Sequence, residues 1–169
     1  MKFEEYIKES FNRPYKWKII SEKKINYIYG FFKDDGTKYQ VEIDMWKSNK
    51  TTNNEIKKML KKYTKHILNI KKYWTIDFSK ESGYDSSSSF DITGSGNAQR
   101  VFATVLVIIK DFIKREKKPQ FLFFSAENKS RVKLYNRMIK VFASKFGYKF
   151  LGIHKVRGRT DYILWNGKK

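Results

Sequence analysis

Asp91-Ile92-Thr93-Gly94-Ser95-Gly96-Asn97-Ala98 leads into the apolar run 101–109, and together they are the strongest indication of how this chain folds. Two glycines separated by one residue let the backbone turn tightly and approach a ligand closely, because neither carries a Cβ. The apolar run predicts a buried helix, whose first N–H groups and dipole favour phosphate or another anion. A plain tight loop before a core helix is the alternative interpretation.

Strands are predicted on both sides of that helix, which we expect to span residues 97–117. Residues 73–78 alternate like a half-buried strand, and residues 121–124 form the continuous apolar run of a strand buried on both faces. Strand, long helix and strand in this order predict a βαβ unit with parallel strands and a right-handed crossover. Because residues 101–113 are rich in β-branched side chains, a strand in place of the helix is the alternative.

An antiparallel hairpin is predicted in the N-terminal part of the chain. Residues 25–32 and 38–46 are aromatic and β-branched, and Asp34-Asp35-Gly36 between them is a strong turn signal. Residues 17–20 are a further strand candidate, and residues 3–11 have the apolar spacing of a helix.

The C-terminal part predicts a second long helix after residue 125, ending at Gly147, and then strands over residues 148–156 and 160–165. At 169 residues the chain is long enough for one domain with a substantial core. The predicted fold is therefore a single α/β (α+β) domain over residues 1–169, with a mixed central sheet.

The charge of the chain is strongly unbalanced. It has 37 Lys and Arg against 17 Asp and Glu, a formal net charge of +20, while 17% aromatic residues indicate a folded protein. Such a charge favours nucleic acid, an anionic cofactor or another polyanion as partner. Lysines outnumber arginines, which suits diffuse attraction to phosphates better than base reading.

Several classes of site are excluded or not expected. The absence of cysteine excludes disulfides, thiolate metal sites and a Cys nucleophile. His66 and His154 have no partner carboxylate at ligand spacing, so we expect no metal site. The N-terminus lacks an apolar signal core and no segment is long enough to span a membrane, so we expect a soluble protein without a membrane partner.

Residues 47–72 predict a lysine-rich helix, with Asn53-Asn54-Glu55 able to cap its start. One apolar stripe comprises Ile56, Met59, Leu60, Tyr63, Ile67 and Ile70. The segment contains nine lysines against the single acid Glu55, so its polar face is a candidate phosphate-binding surface. A solvated face is the alternative. The candidate nucleic-acid contacts are Lys57, Lys58, Lys61, Lys62 and Lys65.

The order of these elements resembles the GNAT acyltransferase superfamily, with residues 47–72 as an inserted basic helix. Members have a helical N-terminal region, antiparallel strands, a glycine-bearing loop entering a long helix, a parallel strand, another helix and closing strands. Their loop pattern is Gln or Arg, two residues, Gly, any residue, then Gly or Ala. Residues 94–96 match its glycines, whereas Asp91 stands in place of Gln or Arg.

A second GNAT signature has Asn, two residues, a small residue, two more, and then Leu-Tyr. Asn128, Leu134 and Tyr135 match it, and Arg131 replaces the small residue. Residues 91–103 and 130–135 are also similar to small proteins of tailed bacteriophages.

The GNAT resemblance implies that the loop holds the pyrophosphate of acetyl-CoA and that the Tyr protonates the leaving thiolate, a role that Tyr135 would take. A packing tyrosine is the alternative. Asp91 would repel a pyrophosphate by about 1 kcal/mol unless it points away or caps the helix, and Arg100 offers a compensating charge. The implied cofactor contacts are Gly94, Ser95, Gly96, Asn97, Ala98, Arg100 and Asn128.

Candidates for a general base are Glu42, Asp44 and Asp77 on the predicted strands, although each also fits a solvent-facing carboxylate. Ser125 lacks a G-x-S-x-G context, so no hydrolase is predicted.

Two functions follow from this sequence. The first is transfer of an acetyl group from acetyl-CoA to an amine. The second is a catalytically inactive GNAT-shaped basic phage protein, a virion component or anti-defence factor that binds nucleic acid or a phage or host protein. The expected location is the cytoplasm of the host cell or the virion.

Overall fold

The computed structural model describes residues 13–65, 70–80, 96–126 and 129–168. These ranges contain three helices: α1 (Lys50–Leu60), α2 (Gly96–Arg115) and α3 (Lys129–Phe146). They also contain seven strands: β1 (Trp17–Lys23), β2 (Asn26–Phe32), β3 (Lys38–Lys47), β4 (Lys72–Lys80), β5 (Phe121–Ala126), β6 (Lys149–Val156) and β7 (Arg159–Trp165). The helix predicted over residues 3–11 lies outside the described residues.

The seven strands form one mixed sheet in the order β1-β2-β3-β4-β5-β7-β6. Strand β1 is antiparallel to β2, and β7 is antiparallel to both β5 and β6. Strands β4 and β5 are parallel, and α2 lies between them in the chain. The predicted α+β class, mixed sheet and parallel strand pair are therefore confirmed.

The described residues form two compact units, the first within Met1–Glu42 and Phe78–Arg115 and the second within Ile43–Asp77 and Glu116–Lys169. In the first unit, the predicted β2–β3 hairpin is confirmed. Its turn is closed by hydrogen bonds from Lys33 N–H to Thr37 O (2.9 Å) and from Gly36 N–H to Lys33 O (3.0 Å). Hydrogen bonds from Lys33 and Thr37 hold the pKa of Asp35 well below its usual range.

Helix α2 and a set of aromatic rings form the core of the first unit. Phe31 stacks on Tyr15, Tyr39 and Phe78 with centroid distances of 6.1, 5.3 and 6.3 Å. Phe112 of α2 is fully buried. The helical prediction for residues 101–113 is confirmed, because all of them lie in the 20-residue helix α2.

In the second unit, α1 packs on the sheet through Ile56 and Leu60, which share one buried cluster with Phe121, Phe123 and Ile163. The prediction of one helix through residues 47–72 was wrong, since α1 ends at Leu60, whose carbonyl accepts from the N–H groups of Tyr63 and Thr64. The tertiary reason is Ile70, which belongs to the same cluster. A continuous helix would carry it roughly 15 Å beyond Leu60.

The start of α1 also differs from the prediction. Asn49, not residues 53–55, is the N-cap, and its side chain accepts from Thr52 N–H at 2.8 Å. Asn53 instead accepts a hydrogen bond from the Ser48 hydroxyl at 2.6 Å. Ile56 and Leu60, which are four residues apart and therefore on one face of α1, are buried, while the lysines of the opposite face are exposed.

Helix α1 approaches β6 closely at Gly152, where the register of the β6–β7 pair shifts. A Cβ at this position would lie 3.3 Å from the Met59 sulfur, and the backbone has φ of +156°. Gly152 therefore gives Met59 the space to pack.

Helix α3 completes the second unit and confirms the second predicted helix. Phe142 packs edge-on against Phe124 at 5.1 Å. Gly147 follows the helix with φ of +67°, as predicted for its end.

Candidate functional site

The predicted phosphate loop is described only in part. Gly94 and Ser95, together with Asp91, lie outside the described residues. Gly96, Asn97 and Ala98 form the start of α2, whose first turn contains no acidic residue. A helix therefore begins at the second glycine, Gly96, as the phosphate-loop hypothesis requires. Anion binding by residues 94–98 stays a prediction.

Arg100 lies in the first unit, and its guanidinium already has several partners. Its Nη1 is 2.8 Å from Asp34 Oδ2, its Nε donates to Arg13 O at 2.9 Å, and its Cζ lies 4.0 Å from the centroid of the Tyr15 ring. A phosphate would have to displace Asp34, whose side chain is 74% exposed. The cofactor contact predicted for Arg100 therefore needs a local exchange of partners.

The Tyr15 hydroxyl is an unusual group beside Arg100. Tyr15 is buried, and within the part of the chain that the structure describes its hydroxyl is a buried side-chain polar group without a hydrogen-bond partner. Burial raises the pKa of Tyr15, so this hydroxyl remains a donor at neutral pH. A buried donor without a partner is costly, and a ligand oxygen would satisfy it.

Tyr135 lies in the second unit and is buried. Its ring packs edge-on against Phe124 at 6.0 Å and against Tyr162 at 5.7 Å. The Tyr162 hydroxyl lies 2.8 Å from Asn136 Oδ1 and 3.0 Å from Val132 O, which ties α3 to β7. These contacts fit a packing tyrosine, and its predicted role as an acid is not tested by them. Asn128 lies outside the described residues.

The three candidate bases are half-buried strand residues. Glu42 Oε1 accepts from the Asn26 side chain at 3.3 Å in the first unit. Asp44 on β3 and Asp77 on β4 belong to the second unit. None of these surroundings singles out one carboxylate as the base.

A buried polar cluster in the second unit was not predicted. Asp161 on β7 is only 2% exposed, and its Oδ1 accepts from the Ser125 hydroxyl at 2.8 Å. Arg159 binds the same carboxylate with two nitrogens, Nε at 3.0 Å from Oδ1 and Nη2 at 3.1 Å from Oδ2. Arg159 thus contacts both carboxylate oxygens while Ser125 donates to one of them, and these contacts fit a structural cluster that ties β5 to β7.

A signal for this cluster was present in the sequence. Arg159 and Asp161 are two residues apart in a strand, so their side chains lie on the same face, and Asp161 is directly followed by the apolar run 162–165. An acid next to such a run needs a partner. The partner could not be named, because the pairing of Ser125 with Asp161 depends on the β5–β7 register.

Five lysines at and after the end of α1 are all exposed, and we call them the lysine surface: Lys57, Lys58, Lys61, Lys62 and Lys65. Lys58 pairs with Glu55 at 2.9 Å. Among the described residues, the other four have no ion-pair partner. The structure thus leaves their charge available, and nucleic-acid binding stays a prediction.

Within the described ranges, no group of three His, Asp or Glu residues is arranged to hold a metal ion. His154 is half-buried on β6, and His66 lies outside these ranges. None of the described helices has the length and apolar character needed to cross a membrane.

The fold and these sites define a basic α+β protein built on a mixed, mostly antiparallel sheet in which β4 and β5 are parallel. Residues 29–160 match a family of unknown function (DUF6934). The chain belongs to this family. The matched range runs from β2 to the start of β7 and includes the lysine surface, Ser125 and Arg159. No curated protein and no solved structure matches the chain.

Proposed function

We propose that this protein is a GNAT-like acyltransferase that transfers an acetyl group from acetyl-CoA to an amine. The parallel pairing of β4 with β5, on either side of α2 in the chain, carries the proposal. The GNAT resemblance implies that the pantetheine arm binds where such strands separate. The parallel register ends at the pair Ile76 and Phe124, while β5 continues to Ala126.

The residues of the first unit fit an anionic cofactor. Helix α2 starts at Gly96 without an acid in its first turn, and Arg100 follows one turn later. The Tyr15 hydroxyl adds a donor that lacks a partner among the described residues. When bound, acetyl-CoA would supply the acyl group, and residues 94–98 and Arg100 would hold its phosphates.

The remaining roles are assigned to the chain's own side chains. Tyr135 would give its proton to the leaving thiolate. Glu42, Asp44 or Asp77 would take a proton from the amine. Tyr135 is buried and its ring packs edge-on against Phe124 and Tyr162, so its proposed role requires the thiolate to reach a buried hydroxyl.

Binding of acetyl-CoA is the first test. A ligand that binds only the folded state at about a hundredfold excess over its Kd adds roughly 2.7 kcal/mol, which would raise the Tm by about 5 °C or more. We expect this rise for the unmodified protein and its loss in Gly96→Asp, which adds a side chain and a negative charge at the start of α2. Differential scanning fluorimetry measures both.

The matched control is Thr51→Asp, which adds the same charge to an exposed position in the first turn of α1. Acetyl-CoA should raise the Tm of Thr51→Asp as much as that of the unmodified protein. An unchanged Tm at millimolar acetyl-CoA, or equal losses in both variants, would contradict the proposed cofactor site.

A second candidate function is binding of nucleic acid or another polyanion, as expected of the inactive basic protein described above. The specific observation is that Lys57, Lys61, Lys62 and Lys65 are exposed and make no ion pair among the described residues. The proposal extends to the predicted location in the host cytoplasm or the virion. A phage or host protein with an acidic surface is the other partner that this charge would suit.

Salt dependence tests this candidate. Each phosphate contact contributes about 0.9 to the slope of log K against log salt on duplex DNA, through counterion release. Changing Lys57, Lys58, Lys61 and Lys62 to Glu is expected to reduce that slope by about 3.6 if each contacts one phosphate. The fold should stay intact, since all four side chains are exposed. Fluorescence anisotropy at several salt concentrations measures it.

The chain offers a control of equal charge. Lys16, Lys18, Lys23 and Lys24 are exposed lysines of the first unit. Reversing these four changes the net charge by the same amount. Equal losses in both quadruple variants would assign binding to net charge and reject the lysine surface as a site.

A further inference from the structure

We infer that Tyr63 makes the lysine surface a site for single-stranded nucleic acid, with the tyrosine ring as a platform on which a base stacks. The inference rests on the polyanion-binding candidate above. It specifies that the bound nucleic acid is single-stranded and that Tyr63 is the residue that selects this form.

Tyr63 is an exposed aromatic residue that is held in place. It follows α1 by three residues and keeps 44% of its surface exposed. Its N–H donates to Leu60 O at 2.8 Å, and its hydroxyl donates to Phe150 O on β6 at 3.0 Å. The ring is thus fixed at both ends, and stacking on it would cost little additional side-chain entropy.

The surroundings of the ring are basic. Lys61, Lys62 and Lys65 are its near neighbours in the chain, and residues 56–76 contain no Asp or Glu. Lys149 Nζ lies over the Tyr63 ring at 5.7 Å from its centroid and over the Trp165 ring at 5.5 Å. A base that stacks on this face of Tyr63 would displace the ammonium, which could then pair with a neighbouring phosphate. A base on this ring would therefore have lysines nearby for the phosphates on either side.

This arrangement favours single strands over a duplex. In a duplex the faces of the bases are already stacked on each other, whereas a single strand presents them to an aromatic ring. Lysines on a helix supply charge without reading base edges, so the sequence preference should be weak. Binding of duplex DNA should be strengthened only by the charge of the lysine surface, whereas binding of a single strand should be strengthened by stacking on Tyr63 as well.

A purely structural role for Tyr63 is separable by substitution. If its function were to fasten the end of α1 to β6, the important group would be the hydroxyl that binds Phe150 O. Tyr63→Phe removes this hydroxyl and keeps the ring, whereas Tyr63→Ala removes both. A stacking platform needs the ring alone.

The experiment measures binding of the full chain to fluorescein-labelled oligothymidine and to a duplex of equal length, near physiological salt. The unmodified protein should bind the single strand more tightly. Tyr63→Ala is expected to weaken single-strand binding by about tenfold or more, with duplex binding changed by less than about twofold. Tyr63→Phe keeps the ring but loses the bond to Phe150 O, so it should weaken single-strand binding far less than Tyr63→Ala, by about twofold at most. Circular dichroism should show each variant folded.

The outcomes separate this inference from the candidate on which it rests. If the four lysine reversals abolish binding and Tyr63→Ala does not change it, the lysine surface stands and the stacking role of Tyr63 is overturned. Equal weakening of single-strand and duplex binding in Tyr63→Ala, or equal effects of Ala and Phe, also overturns it. If the unmodified protein binds neither probe, both proposals fail.

Discussion

Replacing Arg159 by Met is expected to lower the free energy of unfolding by about 3–5 kcal/mol at neutral pH. The variant keeps the aliphatic part of the side chain but leaves the Asp161 carboxylate, which is 2% exposed, without its guanidinium. The Ser125 hydroxyl alone cannot compensate a buried charge. Urea denaturation followed by tryptophan fluorescence measures the loss.

Two further variants test the cause of this loss. Arg159→Met combined with Asp161→Asn should recover most of the stability, because an amide needs no counter-ion and still accepts from Ser125. Arg157→Met removes a neighbouring exposed arginine and should change the free energy of unfolding by less than about 0.5 kcal/mol. If the double variant were no more stable than Arg159→Met, loss of the ion pair with Asp161 would not be the cause of the destabilisation.

Changing Tyr135 to Phe is expected to lower kcat for acetyl transfer by about 10²- to 10⁴-fold, the usual contribution of a positioned acid. The phenyl ring keeps the packing against Phe124 and Tyr162, so the Tm should fall only slightly. KM for acetyl-CoA should change little, because the proposed hydroxyl acts on the leaving thiolate. Release of the free thiol during turnover measures the rate.

Tyr162→Phe is the matched control for this prediction. It removes a hydroxyl from the same packed group, one that bonds to Val132 O or Asn136 Oδ1. It should cost about 1 kcal/mol of stability and leave kcat unchanged. Similar kcat values in the two variants would make Tyr135 a packing residue.

Local patterns predicted most of the elements. The Asp34-Asp35-Gly36 turn appears as predicted, because its hydrogen bonds join residues only two to four apart. The continuous apolar run 101–109 became part of α2, as its length indicated. The strand pair β4 and β5 followed from the helix between them, since a long crossover makes neighbouring strands parallel.

Periodicity failed in the lysine-rich segment. The apolar spacing of residues 56–70 fits one helix, yet Leu60 and Ile70 reach the same cluster only because α1 ends between them. The spacing of apolar residues predicts that each side chain is buried, but it does not predict which other residues each one packs against. For the same reason Tyr63, predicted as part of the apolar stripe, is 44% exposed.

The sequence by itself determined the strand and helix content, the hairpin turn, the strong positive charge and the absence of cysteine chemistry. These depend on composition and on neighbours a few residues apart. Only the tertiary structure decided where α1 ends, that Tyr63 is held by β6, and that Ser125 and Arg159 share the carboxylate of Asp161. Ser125 and Asp161 are 36 positions apart in the chain, and Tyr63 and Phe150 are 87 apart. Such pairs meet only when strand register and helix packing are set by the whole core.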